Sequence, residues 1–117
     1  MKYQFVVYPN EVGVVRLYGE LDHHEAEKVR NQLSSTIMQG DIQKLIWNLE
    51  NLSFMDSSGV GLILGRMREL QIVNGQMVLL NPSETVKKIF TYSGLLTYVS
   101  HNSEERAVLE ARGILNG

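Results

Sequence analysis

The segment from Lys44 to Leu70 most restricts what this chain can fold into, because a buried strand leads there directly into a helix. Residues 44–49 read as a strand that is apolar on both faces. The apolar residues that follow recur at helical spacing, and they are Val60, Ile63, Leu64, Met67 and Leu70. Between strand and helix lies Met-Asp-Ser-Ser-Gly-Val-Gly at residues 55–61. The sequence therefore predicts a helix N-terminus at which backbone N–H groups and the positive end of the helix dipole meet a carboxylate and two hydroxyls.

Strand-like and helix-like runs alternate along the rest of the chain. Residues 3–8 and 12–18 are two β-rich runs joined by a short Pro-Asn-Glu connection, so we expect an antiparallel pair. A helix should begin at Asp22, where Glu25 has the spacing of a capping box, and it should end at Gly40. Its buried face should consist of Ala26, Val29, Leu33 and Ile37.

The second half of the chain continues this alternation. Residues 76–80 read as an interior strand, and the Asn-Pro-Ser-Glu run at 81–84 should open a helix with its Asn as the N-cap. Gly94 should end that helix, a short strand should lie within residues 95–99, and a last helix should open at residues 102–105. The predicted order ββαβαβαβα indicates the α/β class, with a mixed central sheet of about five strands and about four helices.

The composition fits one domain of ordinary size and excludes several classes of protein. The 117 residues are 44% hydrophobic and 21% charged, which suits a packed core. A net charge of −2 provides no basic excess for binding nucleic acid. Without cysteine there can be no disulfide and no thiolate zinc site. The N-terminus lacks the apolar stretch of a signal peptide and no apolar run is long enough for a membrane span, so we expect a soluble cytoplasmic protein.

The Asp-Ser-Ser run at residues 56–58 allows three interpretations from its residues alone. It can cap the helix, although one cap needs a single residue and a hydroxyl is left over. A serine nucleophile of the Gly-x-Ser-x-Gly type would need glycine in place of Met55, and no oxyanion loop is recognisable. A phosphate suits the same place, either bound or carried by a serine, because a helix N-terminus tolerates its charge.

Other candidate sites carry less support. The glycines after the serines form neither a P-loop nor a dinucleotide fingerprint, and Gly61 and Gly65 are better explained by the close approach of another backbone. His23 and His24 diverge by about 100° on a helix, so they do not converge on one metal ion. A two-component receiver would need an acidic pair after its first strand, and residues 3–10 offer none. We therefore expect no metal, no cofactor and no catalytic residue.

Three stretches of the chain resemble a known family. They are Gly-Glu-Leu-Asp-His-His at residues 19–24, Leu-Glu-Asn-Leu-Ser-Phe-Met-Asp-Ser-Ser-Gly-Val-Gly at residues 49–61, and Ser-Gly-Leu at residues 93–95. Together they are similar to the anti-sigma-factor antagonists of the STAS family, and the Asp-His-His turn is similar to the sporulation branch of that family. The resemblance runs through nearly the whole chain and implies a single STAS domain over residues 1–117.

The resemblance implies a partner-switching regulator and not an enzyme. In this family the unphosphorylated antagonist binds an anti-sigma factor that is also a serine kinase, and the sigma factor is released. Phosphorylation switches the antagonist off, and a PP2C-type phosphatase resets it. The family's acceptor is the serine directly after the aspartate, which here is Ser57. The predicted partner-binding residues are Glu20, Asp22, His23, Asp56, Ser57, Ser58 and Gly59.

The residues give this implication a physical basis and leave alternatives open. The turns before the first two helices can neighbour each other at one end of the sheet, which would bring Asp22 and His23 to the face of Ser57. Gly59 and Gly61 would keep that face uncrowded. A nucleotide-binding STAS module, a small hydrolase and an antagonist for a stress-response sigma factor remain the alternatives.

Overall fold

A five-stranded mixed sheet forms the centre of the computed structural model, which describes residues 3–115. Its strands are β1 (Tyr3–Tyr8), β2 (Val12–Leu21), β3 (Lys44–Met55), β4 (Gln76–Leu80) and β5 (Val99–Ser100). The strands lie side by side in chain order. β1 pairs antiparallel with β2, and the other neighbouring pairs are parallel. The predicted α/β class and mixed sheet are confirmed.

Helices pack on both faces of this sheet. They are α1 (His23–Met38), α2 (Ser57–Ile72), α3 (Glu84–Phe90) and α4 (Glu104–Ala111), with a 3₁₀ turn at Leu95–Tyr98. Because successive strand residues point to opposite faces, Trp47 packs in the main core with α1, α2 and α3, whereas its neighbour Ile46 packs against α4. The first two helices follow β2 and β3 directly, so both helices begin at the carboxyl ends of these parallel strands.

β3 extends to Met55, well beyond the predicted end at Leu49. Its parallel pairing with β2 continues through two register shifts until Leu21 lies opposite Met55. The Ser53 hydroxyl donates to the Gly19 carbonyl at 3.0 Å, and Gly19 has a φ of +70°, which glycine adopts without strain. Pairing with β2 therefore extends β3 through polar residues, whereas the local sequence pattern predicted that the strand ends at Leu49.

The start of α3 also differs from the prediction. Its N-cap is Ser83, whose hydroxyl accepts a 3.2 Å hydrogen bond from the Val86 N–H. Asn81, the predicted cap, has a φ of +53° and donates its side-chain amide to the Asn102 carbonyl at 2.7 Å. The hydrogen bond to the distant Asn102 thus occupies the side chain of Asn81, which the local spacing assigned to the cap.

The segment after α3 forms a turn where the sequence predicted the end of a helix followed by a strand. α3 ends at Phe90, before Gly94, whose φ of +78° introduces the 3₁₀ turn. Leu95 at the start of this turn is fully buried in the main core, which anchors it. The strand predicted within residues 95–99 is displaced to Val99–Ser100, where β5 pairs with the end of β4.

α2 buries two of the five predicted positions, Ile63 and Leu70, on a face that is shifted from the predicted one. It contacts α1 as well as β3 and β4, so its buried face is turned towards α1. Of the predicted positions, Val60 and Leu64 are partly buried against the core. The prediction that Gly61 and Gly65 admit another backbone is wrong: a methyl group at either would meet no atom of residues 3–115 within 4 Å, apart from the helix's own backbone. The buried positions are Gly59, Leu62, Ile63, Arg66 and Leu70.

Candidate functional site

The ends of β2 and β3 lie side by side at the candidate site and are followed by the same kind of residue. Leu21 closes β2 opposite Met55 at the end of β3, and an aspartate follows each of them. The Asp22 carboxylate accepts from the Glu25 N–H at 2.9 Å and caps α1. The Asp56 carboxylate accepts from the Ser58 N–H at 2.8 Å and caps α2. The predicted cap of α1 is therefore confirmed, Asp56 is the member of the Asp-Ser-Ser run that caps α2, and the starts of the two helices form one surface.

The two adjacent serines at this surface have different surroundings. Ser57 is the first residue of α2 and is exposed, and its hydroxyl makes no hydrogen bond within residues 3–115. Ser58 is half-buried, and its Oγ lies 3.2 Å from Nδ1 of His23, the first residue of α1. The contact joins the two turns directly. Ser57 is thus the freer hydroxyl of the pair.

The two glycines that follow the serines have opposite surroundings. Gly59 is buried, and a Cβ there would come within 2.8 Å of both Cβ and Sδ of Met55. Gly61 faces open space beside a shallow groove between α1 and α2, which is bordered by Glu27 and Arg30 on the α1 side. Gly59 consequently lies beneath the surface that carries the serines, where its missing side chain lets α2 pack against the end of β3.

Acidic side chains dominate the exposed part of the site. Glu20, Asp22 and Asp56 are all exposed, so three carboxylates accompany the two serines at this end of the sheet. Within the groove, Arg30 is paired with Glu27 at 3.8 Å. Among residues 3–115 no group of His, Cys, Asp and Glu side chains is arranged to hold a metal ion. The same residues contain no helix long and apolar enough to cross a membrane.

Phe54 is a feature of the site that the sequence interpretation missed. It pairs with Glu20 across β2 and β3, two residues before Asp56, and its side chain is 45% exposed. A single exposed apolar side chain is common on protein surfaces, so it is the position of Phe54 beside Asp56 that makes it part of the candidate site. The available signal was an aromatic residue beside the Asp-Ser-Ser run, but its exposure depends on the strand continuing to Met55.

Comparison with known proteins identifies the family. The model of the STAS domain matches residues 4–107. The anti-sigma F factor antagonist of Lysinibacillus sphaericus is 53% identical over 117 residues, which cover 100% of both chains. The chain belongs to the STAS-domain family of anti-sigma factor antagonists. The predicted antagonist function and the regulatory, non-enzymatic role are confirmed by these relatives.

Other antagonists in this family help to place the chain within it. The anti-sigma F factor antagonist of Paenibacillus polymyxa is 37% identical over 85% of this chain and 86% of its own length. An anti-sigma-B factor antagonist of Staphylococcus aureus is 30% identical over 77% of this chain and 84% of its own length. The higher identity to the sigma F antagonists favours the predicted sporulation branch over the stress-response alternative.

Solved structures of STAS antagonists share the same fold. Unphosphorylated SpoIIAA has a TM-score of 0.92 and 53% identity, covering 97% of this chain and 99% of that one. Bacillus SpoIIAA in its phosphorylated form has a TM-score of 0.86 and 51% identity, covering 94% of this chain and 99% of that one. A Thermotoga maritima protein at 19% identity and a TM-score of 0.79 shows that the fold persists at low sequence similarity.

Proposed function

We propose that this STAS antagonist binds an anti-sigma F factor in its unphosphorylated form, so that the sporulation sigma factor is released. The anti-sigma factor acts as a serine kinase on Ser57, and the phosphate ends the binding. A PP2C-type phosphatase removes the phosphate and resets the switch in the cytoplasm. The observation that carries the proposal is the exposed hydroxyl of Ser57 at the start of α2, which has no hydrogen bond within residues 3–115, in a chain 51% identical to an antagonist whose structure is known in a phosphorylated form.

The position of Ser57 explains how a phosphate can be added without refolding the domain. Ser57 is the first residue of α2, where unpaired N–H groups and the helix dipole favour negative charge. Asp56 provides the cap through its own carboxylate, so the fold does not depend on the Ser57 hydroxyl. The effect of the phosphate therefore falls on whatever docks at this surface.

The charge of the phosphate is large enough to act as the switch. A phosphoserine carries about −1.5 to −2 charges at neutral pH. A partner carboxylate about 5 Å from it would be repelled by about 3 kcal/mol per unit-charge pair at an effective dielectric constant near 20. That energy corresponds to an affinity change of about a hundredfold. Steric bulk and the loss of the Ser57 hydroxyl as a donor act in the same direction.

The proposed docking face consists of exposed or half-exposed residues at the ends of β2 and β3. Phe54 adds an exposed apolar contact to it, and Gly59 supports it from below through Met55. Among the predicted partner-binding residues, Gly59 is therefore best explained as packing beneath the face and not as a direct contact. The remaining members of the proposed face are Glu20, Asp22, His23, Asp56, Ser57 and Ser58.

Phosphopeptide mass spectrometry tests the proposal directly. The chain is incubated with the anti-sigma F factor of the same organism and ATP, and we expect phosphate on Ser57. The variant Ser57→Ala, which keeps Ser58, is the matched control. It should remain unphosphorylated while it still binds the anti-sigma F factor. Phosphate on Ser58 alone would contradict the assignment of the acceptor.

A further inference from the structure

We propose that His23 determines which of the two adjacent serines is phosphorylated. Its imidazole Nδ1 lies 3.2 Å from the Ser58 Oγ, and it holds this hydroxyl towards α1 so that Ser57 is left as the acceptor. The inference deepens the proposed function and rests on it, because it presumes a kinase that acts on this face. His23 is a specificity-determining residue in this account and takes no part in the phosphoryl transfer.

The two serines are chemically the same, so the selection needs a structural cause. Both lie in the first turn of α2, one residue apart, and a kinase that approaches the helix start meets both hydroxyls. Neighbouring residues on a helix point about 100° apart. Ser57 points to solvent, whereas Ser58 is half-buried beside His23. The backbone holds Ser58 as well, since its N–H donates to the Asp56 carboxylate at 2.8 Å.

The chemistry of phosphoryl transfer requires the attacking hydroxyl oxygen to lie in line with the phosphorus–oxygen bond that breaks. The serine Oγ forms a bond to the γ-phosphorus of ATP, the bond from that phosphorus to the ADP oxygen breaks, and the hydroxyl proton passes to a base of the kinase. A ring nitrogen that bears hydrogen donates to a lone pair of the Ser58 hydroxyl, and one without hydrogen accepts its proton. In either state the contact directs the Ser58 Oγ towards α1, away from the position in which it could attack an ATP phosphate that approaches from solvent.

His24 provides a control within the same turn. It is the next residue of α1, it is exposed, and it makes no side-chain hydrogen bond within residues 3–115. Its substitution changes the composition of the turn to the same extent but leaves the contact between His23 and Ser58 in place. A difference between the two histidines would therefore report the contact and not the loss of a histidine.

The test uses gain of phosphate in the full chain, with the anti-sigma F factor and ATP as reagents. Ser57→Ala alone should take up little or no phosphate. The double variant Ser57→Ala/His23→Ala should be phosphorylated on Ser58 at least about fivefold faster, the factor that a hydrogen bond of ordinary strength gives. Ser57→Ala/His24→Ala should behave like Ser57→Ala. Asn at position 23 can place an amide near the position of Nδ1, so His23→Asn should suppress the gain in part.

A second readout is independent of how well the variants bind the kinase. In the chain with both serines, His23→Ala should raise the fraction of phosphate found on Ser58 at least about fivefold, whatever the overall rate. An unchanged fraction of phosphate on Ser58 would overturn the role of His23. Equal rates of Ser58 phosphorylation in Ser57→Ala and in Ser57→Ala/His23→Ala would overturn it as well. If the unaltered chain takes no phosphate on Ser57, it is the proposed function that fails.

Discussion

Gly59 and Gly61 of α2 should respond in opposite directions to the same substitution by alanine. In Gly59→Ala the new Cβ would stand 2.8 Å from the Cβ and the Sδ of Met55. The Met55 Cβ is not the movable end of a flexible side chain, so overpacking should cost about 2–3 kcal/mol, the upper part of the usual range, and the better helix propensity of alanine offsets about 1 kcal/mol of that. We expect a net loss of about 1–2 kcal/mol in the free energy of unfolding. In Gly61→Ala the methyl group meets no neighbour, so the helix propensity should stabilise the fold by about 0.5–1 kcal/mol.

Urea unfolding followed by tryptophan fluorescence measures this difference. Trp47 is the single tryptophan and is fully buried, so its emission reports the core. The two midpoints should lie on opposite sides of that of the unaltered chain, with their unfolding free energies about 1.5–3 kcal/mol apart. A Gly59→Ala chain as stable as the unaltered one would refute the close packing of α2 on Met55. A destabilised Gly61→Ala chain would refute the open space at that position.

Two further predictions concern ion pairs that hold the helices in place. The hydrogen bonds from Arg16, at 2.7 Å each, hold the pKa of Glu104 below its usual value. Glu104→Gln should therefore cost about 1–2 kcal/mol of unfolding free energy at pH 7. Calorimetric melting should show this deficit shrinking below about pH 4. The reason is that the unaltered chain loses the stabilisation from the ion pair as pH falls through the lowered pKa of Glu104. Glu69 accepts from Arg66 at 2.6 Å and from Ser34 at 2.5 Å, and Arg66 is 7% exposed. Glu69→Ala leaves the buried Arg66 without its partner and should cost about 3 kcal/mol of unfolding free energy, measured in urea. The double variant Arg66→Met/Glu69→Leu removes the cation as well and should recover most of this loss. An equal loss in both variants would contradict the explanation by a buried, unpaired cation.

Local signals were sufficient to predict most of the elements of this fold. The bounds of β1 and β4 follow from their β-rich runs, and the cap of α1 follows from Asp22 and the spacing to Glu25. These features depend on residues within one turn or one strand, so sequence alone determines them. Even the juxtaposition of the two helix starts was predictable, because parallel strands end at the same edge of a sheet.

Features that depend on distant partners could not be predicted in the same way. β3 continues to Met55 because it pairs with β2, and Asn81 leaves the cap of α3 because it bonds to Asn102. The 3.2 Å contact between His23 and Ser58 requires the register that sets Leu21 opposite Met55. The sequence indicated the residues of the candidate site except Phe54, whereas the different surroundings of the two serines emerged from the packing of α1 against α2.

The central claim is that a phosphate on Ser57 controls the affinity for the anti-sigma factor. Isothermal titration calorimetry of the anti-sigma F factor against the unphosphorylated chain and against the chain phosphorylated on Ser57 measures this directly, with Ser57→Ala and Ser57→Asp as matched variants. We expect that Ser57→Ala binds as the unphosphorylated chain does, that Ser57→Asp binds poorly, and that the phosphate weakens binding by about a hundredfold. Equal affinities before and after phosphorylation would contradict it.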